Sequence, residues 1–68
     1  MYRIRERMQR LGKTQVWLIL ELHPRGIVVQ PPEMSSILRG VNTSPKAAKV
    51  LKACDDILSD LERRETHE

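Results

Sequence analysis

Three short runs of this chain carry side chains suited to directed hydrogen bonding: Lys13-Thr14-Gln15, then Gln30 with Glu33, Ser35, Ser36 and Arg39, and finally Asn42-Thr43 with Lys46. Hydroxyls, amides and a guanidinium can donate to phosphate oxygens or to base edges, and a carboxylate can accept from an amino group. Bond-making chemistry has no comparable set. Cys54 falls on an apolar stripe, where a thiol is inert packing. His23 and His67 lie far apart, and Asp55, Asp56 and Asp60 sit among other charges rather than in an apolar setting. No glycine-rich phosphate loop and no metal-ligand spacing occurs. The expectation is a protein that recognises rather than catalyses, with no cofactor and no metal.

Size and charge narrow what can be recognised. The chain has 68 residues and one cysteine, so it is a single small domain without an internal disulfide, suited to a reducing cytoplasm. The longest apolar run, Val16 to Leu20, is too short to cross a bilayer, and no signal-peptide core precedes it. The net charge of +3 hides an asymmetry. Residues 1–52 hold ten Lys and Arg against three acids, a net of +7, whereas residues 53–68 hold two against six, a net of −4. A basic body suits a polyanionic partner, although small basic domains that bind no polyanion are common.

The elements that must position these residues are helical. Ile4, Met8 and Leu11 fall at i, i+4 and i+7 of a helix over Tyr2–Leu11, with Arg3, Arg5, Arg7 and Arg10 on other faces and Gly12 as its stop. Thr14 caps a second helix to about Leu22, apolar nearly all round and therefore expected to be the most buried. Pro24 and Gly26 end it. Ile27-Val28-Val29 reads as an extended connector that closes one end of the core. Pro31-Pro32-Glu33 opens a third helix to about Arg39, stopped by Gly40. Ser44 caps and Pro45 begins a fourth, reaching about Arg63 along the stripe Ala47, Leu51, Cys54, Leu58 and Leu61, widened by Val50 and Ile57. Residues 1–64 then form the domain and 65–68 a charged tail.

Helices two and three, over residues 14–40, read as a helix-turn-helix, with Val16, Ile19 and Leu20 packing on Met34, Ile37 and Leu38. In such a unit the second helix presents its first residues to base edges and the first lends donors to phosphates. At this point the chain resembles the Cro and CI-type phage repressor family, on Thr14-Gln15 at the start of helix two and Met34, Ile37 and the closing Gly40 in helix three. The resemblance spans roughly residues 3–62 and extends to small prophage regulators of Gram-positive bacteria. His23–Gln30 is longer than the family's tight turn, and Pro31 and Pro32 stand where polar base-reading side chains are usual.

The resemblance implies an all-α, lambda-repressor-like domain that binds double-stranded operator DNA and regulates transcription by occupying it. Lys13, Thr14 and Gln15 would meet phosphates at the start of helix two. Gln30, Glu33, Ser35 and Ser36 would lie on the outer side, Ser35 and Ser36 donating to base edges or phosphates and Glu33 accepting from a cytosine amino group, each good base-edge pair worth about 1–3 kcal/mol of discrimination. Arg39, Asn42, Thr43 and Lys46 would flank the groove. Plainer roles compete: Gln15 can satisfy a helix terminus, Ser35 and Ser36 can be a solvated face, and Glu33 can complement a helix dipole. Ile57, Leu58 and Leu61 are candidates for a homodimer seam that would set two recognition helices about 34–36 Å apart. A second phage regulator is a further possible partner. The competing reading is a protein-interaction module, such as an antirepressor, gripping another regulator through the same helices.

Overall fold

A computed structural model of the protein describes residues 2–65. Within that range the chain is all-helical: α1 (Ile4–Leu11), α2 (Gln15–Leu22), a turn of 3-10 helix (His23–Arg25), α3 (Pro31–Leu38) and α4 (Pro45–Glu65), with no strand among the described residues. Among the described residues no helix is long and apolar enough to cross a membrane. The boundaries follow from capping chemistry. Thr14, in extended conformation, accepts the Trp17 N–H on its hydroxyl at 3.1 Å, and Ser44 does the same for Ala47 at 3.2 Å. Pro45 then opens α4, where a missing N–H costs nothing. The charged tail expected from residue 65 lies, beyond Glu65, outside the described residues.

The long α4 is the spine, and the other three helices pack against it. Its buried line is Ala47, Val50, Ala53, Cys54, Ile57 and Leu58, which meets Ile4 and Met8 of α1, Leu18, Ile19 and Leu22 of α2, and Met34 and Ile37 of α3. Leu51 and Leu61 are only half-buried, so the line is centred one position away from the expected stripe. Val29 is 2% exposed and plugs the core from the connector, while its neighbour Val28 points out at 59%. In that connector only Val29 fully serves the closing role expected of all three residues.

Two expectations need correction. Val16 and Leu20 do not pack on α3: they are 60% and 57% exposed. At 100° per residue, Leu18, Ile19 and Leu22 occupy one side of this eight-residue helix, and Val16 and Leu20 fall roughly opposite them. Ile57 and Leu58 do not reach past the body to make a dimer seam either. Both are buried in the core of the single chain, 7% and 0% exposed, because α1 lies along the C-terminal half of α4. Of the expected seam, Leu61 alone keeps appreciable exposed surface.

Arg7 holds α1 in that position. Its Nε and Nη2 donate to the Glu62 carboxylate at 3.1 and 2.9 Å, its Nη1 to Asp55 at 2.7 Å, and its Nη2 also to the Ser59 hydroxyl at 3.1 Å. The Tyr2 carbonyl takes a further bond at 3.1 Å. Arg10 adds a contact to Glu62 at 2.8 Å. The Arg7 hydrogen bond, reinforced by both arginine charges, holds the Glu62 carboxyl below its ordinary range.

Candidate functional site

The expected recognition residues fall into three linked groups at the starts of α2, α3 and α4. At the first, Lys13 lies half-buried with its Nζ 5.1 Å from the centre of the Trp17 ring, a cation–π contact. Thr14 is occupied by its cap. Gln15 Nε2 donates to the Pro31 carbonyl at 3.1 Å and so ties the first residue of α2 to the first of α3. This bond joins two helices sixteen residues apart in sequence, a role neither the phosphate assignment nor simple end-capping had anticipated. One amide hydrogen and the side-chain carbonyl of Gln15 remain for other partners.

The second group is the outer face of α3. With Met34 and Ile37 turned into the core, helical geometry sends Pro32, Ser35, Ser36 and Arg39 outward, with Pro31 at the edge. Gln30, at the cap position, makes no side-chain capping bond and is exposed. Ser35 and Ser36 are half-buried, and Arg39 is exposed at the far end, about 12 Å along the axis from Pro31 at 1.5 Å per residue. Glu33 takes no place on that face: it pairs with Lys46 of α4 at 3.2 Å, so two expected site residues are engaged with each other.

The third group is the loop into α4. Gly40 sits at φ +79°, the left-handed conformation that a Cβ disfavours, and turns the chain so that Val41 and Asn42 N–H groups return to the Ser36 carbonyl at 3.0 and 3.2 Å. Asn42 then accepts the Ser44 N–H on its side-chain oxygen at 3.1 Å, and Thr43 stays exposed. Asn42 and Thr43 border a groove of about 750 Å³ that runs between α1, the end of α3 and the start of α4, over Ile4, Leu38 and Leu51. A smaller hollow of about 290 Å³ takes in Lys13 and Gln15. Both share Arg5, Gln9 and Leu38, so α1 forms a common edge.

Sequence reasoning left Arg5, Gln9, Arg25 and Lys49 out of the candidate set. Arg5 and Gln9 are exposed on α1, and Lys49 is exposed one turn beyond Lys46. The i, i+3 spacing of Lys46, Lys49 and Lys52 was the available signal for a basic face on α4. Lys52 itself pairs with Asp56 at 2.8 Å, a bond that raises the lysine pKa and lowers that of the aspartate. Cys54 lies in the core, and burial pushes its thiol up to about 12.

Comparison with protein-family models, with curated proteins and with solved structures returned no match to this chain.

Proposed function

We propose that the chain is a DNA-binding transcriptional regulator in which α2 and α3 act as a helix-turn-helix. The observation that carries this reading is the 3.1 Å bond from Gln15 to the Pro31 carbonyl, which fixes the starts of α2 and α3 side by side. The start of α2 directs free N–H groups and positive partial charge outward, which suits phosphates beside the groove. Arg39 is an exposed cation at the end of α3, Lys46 of α4 is held to α3 by its pair with Glu33, and Lys49 and Arg5 are exposed on α4 and α1. Glu33 serves here to orient Lys46 rather than to accept from cytosine. The mechanism in this proposal is occupancy of operator DNA. Pairing of two copies belongs to the same proposal, and sedimentation at high protein concentration tests it.

The deciding experiment is a titration of labelled duplex from the gene's own upstream region against a scrambled duplex, at two salt concentrations. The regulator reading expects tight, salt-sensitive binding to the native duplex that survives competitor DNA. Arg39→Ala should then weaken all sequences and flatten the salt slope by about one phosphate contact. Equal binding to both duplexes would leave only a basic surface.

A second reading has its own observation. Val16 and Leu20 leave an apolar stripe on α2 beside the half-buried Trp17. Such a stripe suits a protein partner, as in an antirepressor that grips another regulator. That contact would tolerate salt and fail in Val16→Lys or Leu20→Lys, whereas phosphate contacts would not.

A further inference from the structure

We infer that the leading end of α3 reads the methyl groups of thymine. This rests on the helix-turn-helix reading above and specifies what that face would recognise. Pro31 and Pro32 fill the first two positions of α3 and are both exposed, and Val28 stands 59% exposed just upstream. Proline has no N–H, so this helix start lacks the two donors that would ordinarily gather an anion. The Met34 N–H already goes to the Gln30 carbonyl at 2.8 Å. The start of α2 differs. Its cap takes up the N–H groups of Trp17 and Leu18 and leaves those of Gln15 and Val16 available.

The two helix starts therefore offer different chemistry side by side. The start of α2 suits phosphate oxygens. The start of α3 offers carbon surface: Glu33 is engaged with Lys46, and Gln15 spends one amide hydrogen on the Pro31 carbonyl, which leaves Gln30 as the exposed polar side chain at this end. In the major groove the apolar group available to such a surface is the C5-methyl of thymine. Gln30, exposed between Val28 and Pro31, has the amide suited to the N6 and N7 edge of adenine, so both features favour A·T pairs. Arg39 is exposed at the far end of the same helix, Lys46 is paired with Glu33, and Lys49 is exposed one turn further along α4. Exposed carbon carried on a body whose residues 1–52 bear a net charge of +7 complements a groove with methyls on its floor and phosphates on its walls better than it complements an apolar peptide.

The test uses the full chain and chemically defined duplexes, read by fluorescence anisotropy at low salt. One A·T-rich duplex carries thymine and its twin carries deoxyuridine, which lacks only the methyl. A G·C-rich pair carries cytosine or 5-methylcytosine, which restores a methyl at the same ring position. Loss of each contacted methyl should weaken binding about fourfold, from the usual value of burying one carbon. The expected result is weaker binding to deoxyuridine than to thymine, and stronger binding to 5-methylcytosine than to cytosine. In Pro31→Ser/Pro32→Ser, with helicity checked by circular dichroism, the difference between thymine and deoxyuridine should shrink. The duplex comparison on the unaltered chain stands even if that variant fails to fold. Equal binding to thymine and deoxyuridine duplexes overturns the methyl assignment and leaves DNA binding intact. Absence of binding to every duplex overturns the DNA reading itself and assigns the patch to a protein partner.

Discussion

Replacing Arg7 with methionine should remove a large share of the stability of this domain. The guanidinium is 13% exposed and lies against Asp55 and Glu62, whose side chains are 28% and 29% exposed. Breaking a fully buried ion pair from one side costs about 3–5 kcal/mol, and losing an exposed one about 0–1 kcal/mol. This cluster lies between those limits: the cation is covered, yet both carboxylates keep access to water. A loss of about 2–3 kcal/mol follows for Arg7→Met, since methionine retains much of the apolar stem but leaves two carboxylates facing each other. In a domain of this size that is on the order of 10–20 °C in Tm. Arg10→Met, whose side chain is 70% exposed, should cost less than about 1 kcal/mol.

Urea denaturation followed by circular dichroism, repeated from neutral pH into the acid range, measures both the loss and its origin. A carboxylate with a depressed folded pKa adds stability above its unfolded pKa, and that stability disappears as pH falls through the folded value. Glu62 is such a group, with the Arg7 bond as the leading cause. The unaltered chain should therefore lose stability in the acid limb, and Arg7→Met should show a flatter limb. A double-mutant cycle with Glu62→Gln isolates the pair from the rest of the network. If Arg7→Met lies within about 0.5 kcal/mol of the parent at neutral pH, the range for ordinary surface changes, α1 is not held in this way.

The remaining predictions concern local features. Thr14→Ala removes the acceptor for the Trp17 N–H and should cost about 1 kcal/mol in urea denaturation. Arg3 adopts φ +55° and ψ +44° ahead of α1. Arg3→Gly relieves the left-handed penalty of about 1–2 kcal/mol against a smaller entropic cost, so the midpoint should rise. Cys54 should resist thiol reagents at pH 8 in the folded protein and react at the rate of opening, because burial raises its thiol from an ordinary 9.0 to about 12. The folded chain then keeps a proton that the unfolded chain loses above 9.0, so this group makes stability fall as pH rises between those values. A titration of Tm with pH for Cys54→Ala, lacking that component, provides the control.

The ends of the helices were legible because their causes are local. Thr14, Ser44-Pro45, Gly12 and Gly40 each act on backbone groups within a few residues, and α1 through α4 begin and end close to where those residues stand. The face of α2 was not legible. An eight-residue helix apolar nearly all round gives no polar side from which to infer which apolar side is left over, so its sequence does not mark Val16 and Leu20 as outward. Ile57 and Leu58 read as spare surface for a similar reason: what covers them is α1, held by bonds from Arg7 to residues 48 and 55 positions away. The Gln15 contact escaped because its acceptor is a backbone carbonyl, which has no residue signature.

The same clamp explains the opposed charges of the two ends of the chain. Acidic residues in the second half of a helix oppose its dipole, so Asp55, Asp56, Asp60 and Glu62 in α4 need another reason to be there. Asp55 and Glu62 meet Arg7, Glu62 also meets Arg10, Asp56 meets Lys52, and Asp60 meets Arg63 and Arg64. These four carboxylates are thus paired within the fold. Asp55 and Glu62 neutralise the arginines of α1 that face α4 and leave Arg5, on the other side, without an ion-pair contact among the described residues. Arg5 and Gln9 then form the edge shared by the two grooves that also take in Lys13, Gln15, Asn42 and Thr43. A change at Arg7 should therefore alter the candidate interface at a distance. If Arg7→Met shifts α1, affinity for duplex should fall even under conditions where the variant remains folded. Arg7 is already paired within the fold, so the salt slope should change less in Arg7→Met than in Arg39→Ala.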